Sequence, residues 1–525
     1  MPYTVSYDVA IVGCGPVGAL AANLAAAAGL SVLVIDSALS PHPLPRAVHL
    51  DHEMMRLFQS AGLADAIAPT MRETQGHLHL GADHGAIRYM GTAGRPKPFG
   101  WANDYFFYQP ELEALLRDGI ARFDTITTAF GTALVDFVQD DRGVTLQMRD
   151  GDGVESTARA RWVIACDGAR SVVRKQLGIA LDDLDFEEPW LVVDAEVDGP
   201  VRFPDVWGVP AAADLQQLSV MMCDPQRPAT IVPGRGSIRR WEFMLLPGEN
   251  DEAMMRADAV AALLAPYLDG VPHRILRATT YRFHGLVANT WRDRRVFLAG
   301  DAAHQTPPFF GQGMCHGMRD VANLVWKLAL VTRGAADPAL LNSYQPERDP
   351  HVRSVVAAAV DAGRYICELD PKRAAERDAT MRERAAAGAT GTAADLIPAY
   401  AAGAIAAGTA GAGERFVQPW IAHDGAQVLL DTVTGQGWRL FAVDADAAQD
   451  ARAAIDPLTS LDLAVHDIAT LADDGTLAGW FAARGARFAL VRPDAYVFGT
   501  AATDVVALVR QARAVLHLRD MATAA

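Results

Sequence analysis

The sequence predicts an α/β protein in which a Rossmann-like dinucleotide-binding domain is interrupted by a mainly antiparallel sheet domain and followed by a smaller C-terminal α/β domain. Three observations carry that prediction. A glycine-rich turn separates an apolar run from a helical one at the start of the chain. Two more apolar runs, far downstream, each end in a glycine and a carboxylate, at Asp167-Gly168 and Gly300-Asp301. Between them the texture changes to alternating apolar and polar residues broken by Pro and Gly.

Taken in order, Tyr7 to Val12 (YDVAIV) reads as a short buried parallel strand, because it is rich in β-branched residues and ends in glycines. The Ala-rich Val17 to Ala28 reads as a helix stopped by Gly29, and Ser31 to Ile35 as a second buried strand, completing a βαβ unit. Helices are expected over Asp51 to Ala68 and Gln109 to Phe123, and a hairpin over Ala133–Gln139 and Val144–Arg149. Trp162 to Ala165 and Arg295 to Ala299 are further buried strands, and Met314 to Val331 is a long helix. An Ala/Gly-rich stretch then marks a boundary. The expected divisions are a dinucleotide-binding domain in two parts (1–185 and 285–384 with its helices), a sheet domain between them (186–284), a connection (385–413) and a C-terminal domain (414–525).

Composition narrows the function. Half of the 525 residues are hydrophobic, which suits globular cores, and the balance of 47 basic against 63 acidic residues gives a net charge of −16. That charge speaks against nucleic acid as a partner. The five cysteines are scattered singly, with no CxxC pair, so neither a metal site nor a disulfide framework is expected. No run of about 20 uninterrupted apolar residues is present, so a soluble, cytoplasmic protein without a membrane partner is the expectation.

Gly13-Cys14-Gly15-Pro16-Val17-Gly18 matches GxGxxG in the context that the chemistry needs, after a strand and opening a helix. Gly13 permits the tight turn, Gly15 admits a pyrophosphate against the backbone, and Gly18 lets helix and strand approach. The helix start offers free N–H groups to phosphate. Asp36, ending the second strand, is placed for a ribose hydroxyl. This motif alone does not separate FAD from NAD. The Asp167 and Asp301 segments decide it, since each puts a carboxylate on the loop after a strand, where open α/β sheets bind ligands.

With these three segments the chain resembles the class A flavoprotein aromatic hydroxylases, whose GxGxxG, DG and GD motifs occur in this order. The resemblance implies bound FAD, with NADH or NADPH and O₂ as co-substrates. It implies that Asp301 contacts the dinucleotide, and that Asp167 serves both the FAD fold and transient nicotinamide docking. Arg46, Gln109, Val135, Gly168, Gly300, Gln312 and Met314 also fall at its FAD-contacting positions. Gly311-Gln312-Gly313, opening a helix, would stabilise negative charge on reduced flavin through N–H groups and the helix dipole. Pro307, Pro308, Phe309 and Phe310 before it form an apolar wall that excludes water.

More closely, the chain resembles the 3-(3-hydroxyphenyl)propionate hydroxylases, through Gln59 to Leu63, Arg239 to Met244, Gly317 to Asp320, Trp326 to Ala329 and Tyr344 to Arg348. That resemblance implies a thioredoxin-like C-terminal domain. This one holds no cysteine, so it has no thiol redox role, and it leaves open a homodimer. The implied reaction is hydroxylation of a small phenol through a flavin C4a-hydroperoxide, with the cofactor supplying the oxygen chemistry. Arg227, Arg235, Arg239 and Arg240 are candidate forks for a substrate carboxylate. His304, His316 and Tyr105 are candidate bases, with no assignment among them. The segment after Gly300-Asp301 departs from the phenylpropionate pattern, so the substrate stays open. Two alternatives remain: a tailoring oxygenase of a polycyclic aromatic metabolite, and a flavin-binding module without turnover.

Overall fold

The computed structural model describes residues 6–203, 205–388 and 397–519; part of the expected connection, 389–396, lies outside them. The first sheet is built on parallel strands in the order 296–298, 155–165, 6–12, 32–36 and 126–130. Val12 pairs with both Ile35 and Ala165, and Ala165 with Leu298, so three strand ends reach one edge together. That edge carries Gly13, Asp167 and Gly300. The hairpin 132–140 and 143–150 extends this sheet antiparallel to 155–165.

The first helix spans Pro16–Ala27. It stops where Gly29 takes a φ of +81°, and Leu30 N–H returns to the Ala25 carbonyl, which satisfies the last turn. The long helix is Gly313–Thr332, buried on almost every side. It therefore runs through the molecule, where helix propensity matters less than the fit of all its faces.

The second sheet has eight strands, from 304–305 through 273–288, 181–197, 238–244, 229–233, 219–222 and 76–80 to 86–91. All its pairings are antiparallel except 219–222 with 76–80. Two of its strands come from residues 76–91, well before the expected start at 186. The sheet domain is thus assembled from two separated stretches of chain.

The expected helix over Asp51 to Ala68 is not continuous. His49–Asp51 forms a strand paired with Asp104–Phe106, and helices follow at Met54–Ser60 and Ala64–Ile67. Gly62, at a φ of +67°, breaks them.

The C-terminal region holds a four-stranded sheet, with 439–442 parallel to 464–467 and antiparallel to 488–491, which pairs with 497–501. Its contact with the rest is ionic as well as apolar. Arg56 meets Asp431 in a two-pronged pair at 2.7 and 2.9 Å, and Arg439 adds a third bond to Asp431. Arg492 reaches Glu347 at 2.8 Å, and Glu347 also holds Lys327 of the long helix. All these side chains are buried. Among the described residues no helix is long and apolar enough to cross a membrane.

Candidate active site

The dinucleotide edge has the shape its glycines require. A Cβ on Gly13 would strike the Cys166 backbone, and one on Gly18 would strike Gly13, so both positions are closed to side chains. A Cβ on Gly15 would meet nothing within 4 Å, because Gly15 faces open space at the start of the helix. Pro16 occupies the first turn, where no N–H is missed, and Val17 packs against Gly300 and Gly317. Asp36 accepts from Cys14 N–H at 2.6 Å and Ala38 N–H at 2.7 Å, with Arg117 at 3.5 Å.

Asp167 accepts from Val173 N–H, while its Oδ1 is buried without a partner; burial raises this carboxyl. Gly168 follows with a φ of +78°. Asp301 is open to solvent yet closely hemmed in by protein, which raises its carboxyl despite the charges of His304 and Arg46. Gln109 uses its carbonyl to hold the Arg46 and Ala47 N–H groups at 2.8 and 2.7 Å, fixing the loop that presents Arg46. Val135 is half-buried, and its carbonyl accepts from Gln176. Gln312 Nε2 is buried and unpartnered beside the start of the long helix at Gly313. An open glycine at a helix start, two orphaned polar atoms and an accessible carboxylate on one edge fit a dinucleotide. The Gly13 turn, Asp36, Asp167, Asp301, Arg46 and the Gly311–Met314 turn are the residues that would hold FAD.

A cavity of about 170 Å³ opens where this edge meets the second sheet. One wall is the turn carrying Thr306, Pro308, Phe309, Gly311, Gly313 and Met314, and the other includes His77, Met221, Thr230, Val232 and Glu242. Phe309 is buried against Phe186, Trp190 and Phe283 at ring separations of 5.8 to 6.3 Å. Pro307 and Phe310 are buried behind this face rather than on it, with Arg88 over the Phe310 ring. A larger void of about 420 Å³ lies against the C-terminal region, lined by Leu24, Trp326 and Trp438 and remote from every glycine motif.

The candidate carboxylate forks are all engaged. Arg227 pairs with Glu249 through two bonds of 2.6 Å, and Arg235 with Glu111 at 3.0 Å. Arg239 donates to the carbonyls of Gly236 and Ile238. Arg240 does reach the cavity, but its guanidinium is spent on Asp194 and on the carbonyls of Pro45 and Arg46. The candidate bases are likewise structural. His304 bonds Asp320 at 2.7 Å, and Asp320 also takes Gly300 N–H and Arg348. His316 accepts from Arg348, and the Tyr105 hydroxyl accepts from Ala102 N–H. None of the three lines the cavity.

Two histidines that sequence reasoning passed over do line it. His49 Nε2 bonds Asp104 at 2.9 Å, and His77 stands 5.1 Å away, ring to ring. Both are buried. Glu242, nearly buried on the facing strand, has its carboxyl raised by burial against the pull of Arg240. The signal available in the sequence was the alternation Gly76-His77-Leu78-His79-Leu80, which sets His77 and His79 on one face of a strand.

A dinucleotide edge, an inserted sheet and a cavity between them define an FAD-dependent monooxygenase. Residues 6–359 match the family described as FAD binding domain, and residues 413–515 match the HcaD C-terminal domain. The chain belongs to this FAD-binding family, among its aromatic hydroxylases. A protein of Rhodococcus jostii (strain RHA1), named a probable NADH-specific resorcinol 4-hydroxylase, is 35% identical over 507 residues, covering 94% of this chain and 92% of the relative. A 3-(3-hydroxy-phenyl)propionate/3-hydroxycinnamic acid hydroxylase of Burkholderia cenocepacia (strain HI2424) is 35% identical over 533 residues, 95% of this chain and 94% of that one. Among solved structures, the flavin-dependent monooxygenase PieE shares the fold, with a TM-score of 0.80 over 98% of this chain and 99% of its own, at 23% identity.

Proposed function

We propose that this enzyme hydroxylates a neutral, single-ring phenol of the resorcinol type, using NADH and O₂. The observation that carries this reading is the cavity wall: it offers imidazoles, hydroxyls and a carboxyl, and its one buried guanidinium, that of Arg240, is spent on Asp194 and two carbonyls. Arg46, the other cation lining it, is exposed, and its charge acts on the Asp301 and Glu113 carboxyls of the dinucleotide side, where the resemblance places it against FAD. A buried Glu242 makes an anionic substrate less welcome still. Size supports the same conclusion. A cavity of about 150 Å³ takes a benzene, and this one measures about 170 Å³. A polycyclic substrate, and the carboxylate-bearing phenol implied by the phenylpropionate resemblance, are both served less well.

Bound FAD supplies the electron transfer and oxygen activation, by the route that the family resemblance implies. The chain supplies the rest. Phe309 and its aromatic neighbours keep water from the reacting face, and the Gly313 helix start places N–H groups there. Thr230 and Glu242 offer polar contacts to ring hydroxyls.

The test is NADH oxidation in air with a panel of phenol, resorcinol and 3-(3-hydroxyphenyl)propionate, with product analysis. The expected result is a kcat/KM for resorcinol at least about tenfold above that for the propionate, since an unpaired buried carboxylate costs more than 1.4 kcal/mol. Preference for the propionate would overturn the reading.

A further inference from the structure

His49 sits on the cavity wall with one nitrogen held by Asp104; the other, Nδ1, lies beside the Gly311 backbone, whose carbonyl is near enough to favour its charged form but not placed to complete a hydrogen bond. It lies so close to the Gly311 turn that a Cβ on Gly311 would come within 2.6 Å of Nδ1. His77 has neither ring nitrogen partnered, although it is only 2% exposed. Buried imidazole nitrogens left open on a cavity wall are costly unless a ligand completes them. The cavity is where that ligand enters. A His oriented by a carboxylate, with its second nitrogen short of a full hydrogen bond where it borders a substrate space, is the arrangement of a general base.

We propose that His49 is the base that takes the proton of the substrate's ring hydroxyl, that Asp104 positions it, and that His77 holds a second ring hydroxyl. This rests on the reading of the substrate as a resorcinol-type phenol. In the step, the phenol O–H bond breaks and an N–H bond forms at His49 Nδ1. The electron pair stays on the phenol oxygen, which raises electron density at the ortho and para ring carbons. Asp104 accepts the Nε2–H throughout and balances the charge that His49 acquires.

The electrostatics agree. Burial opposes the charged form of His49, but the hydrogen bond and charge of Asp104, with Asp51 and the Gly311 carbonyl, raise it above its ordinary value. His77 is pushed down to about 3 by burial, then by His49 and Arg88, so it stays neutral and can accept a hydrogen bond. The other charged groups around the pair are Arg319, which neutralises Asp51 at 2.5 Å, and Glu242 and Arg240 across the cavity.

The experiment compares holoenzyme with the variants His49→Asn, His49→Gln, Asp104→Asn and His77→Asn. Resorcinol-dependent product formation by the wild-type enzyme secures the underlying reading; its absence would sink that reading, not the role of His49. Given that activity, His49→Asn should lose about 100-fold or more in product formation while anaerobic FAD reduction by NADH persists. The kcat/KM of the wild type should rise with pH through an acid limb above 6.5, the ordinary histidine value. Asp104→Asn should move that limb to lower pH, and His77→Asn should raise KM for resorcinol more than for phenol. Retained turnover in a flavin-loaded His49→Asn or His49→Gln enzyme, or a limb that does not move in Asp104→Asn, would overturn the proposal. If neither His49 variant binds FAD, the Asp104→Asn limb decides. The ligand atoms of His49, His77 and Asp104 also lie within 4.8 Å of one another. A stoichiometric divalent metal in the purified enzyme, whose chelation abolishes turnover, would equally overturn the base.

Discussion

Arg240 and Asp194 face each other on adjacent strands of the second sheet, and the guanidinium donates from Nε and Nη2 to both carboxylate oxygens at 2.7 and 3.2 Å. Arg277 closes on the same carboxylate at 2.6 Å. One buried carboxylate thus bridges two buried cations, one of which, Arg240, reaches the cavity.

Asp194→Asn should therefore destabilise the protein by about 3–5 kcal/mol, the usual cost of stranding buried charge. Denaturant unfolding of the holoenzyme reads this directly. The same variant releases Arg240, so relative kcat/KM for the carboxylate-bearing phenol should increase. A change in stability with no change in preference would place Arg240 outside the substrate's reach.

The glycines of the first turn should separate fold from cofactor. Gly15→Ala adds a methyl where nothing stands within 4 Å, so thermal unfolding of the FAD-free protein should change little. Its affinity for FAD should fall at least about tenfold, because the methyl occupies the approach of the pyrophosphate. Gly13→Ala places a methyl against the Cys166 backbone at a φ of +93°, and should reduce the yield of folded protein itself. Flavin retention on gel filtration, beside the melting curve, distinguishes the two.

Acid should loosen the joint with the C-terminal region. Burial alone would raise the Glu347 carboxyl, but the charges of Arg492 and Lys327 hold it at about 2, against an ordinary value of 4.5. A depressed carboxylate contributes stability that is fully present above 4.5 and disappears as pH falls toward 2. Glu347→Gln should cost roughly 3 kcal/mol near pH 7 and flatten that part of the stability profile. An unaltered slope below pH 4.5 would remove Glu347 as its source.

What was legible in the sequence was local. The strand 6–12, the Gly29 stop and the long helix from 313 each follow from the composition and period of contiguous residues, whatever distant segments pack against them. The cavity wall was not legible, because His49 and Asp104 meet only through a strand pairing that joins residues 55 apart. His77 joins them from a different sheet, on a strand that pairs with 219–222. His304 drew notice by standing next to Gly300-Asp301, yet the buried Asp320, sixteen residues further on, claims it. The arginines of 227–240 were legible as cations, but not as cations already spoken for. Charge can be read from a sequence; its partner cannot.

The seam made by Arg56, Asp431, Glu347 and Arg492 bears on how such enzymes can be recombined. Without the C-terminal unit Arg56 would be a stranded charge, and Glu347 would keep Lys327 alone against the loss of Arg492. A C-terminal unit transplanted from a relative would have to arrive with matching residues at 56 and 347, or with all four positions made apolar together. The unit is therefore one half of a lock, and a working exchange depends on the keyed surface more than on the sequence of the linker.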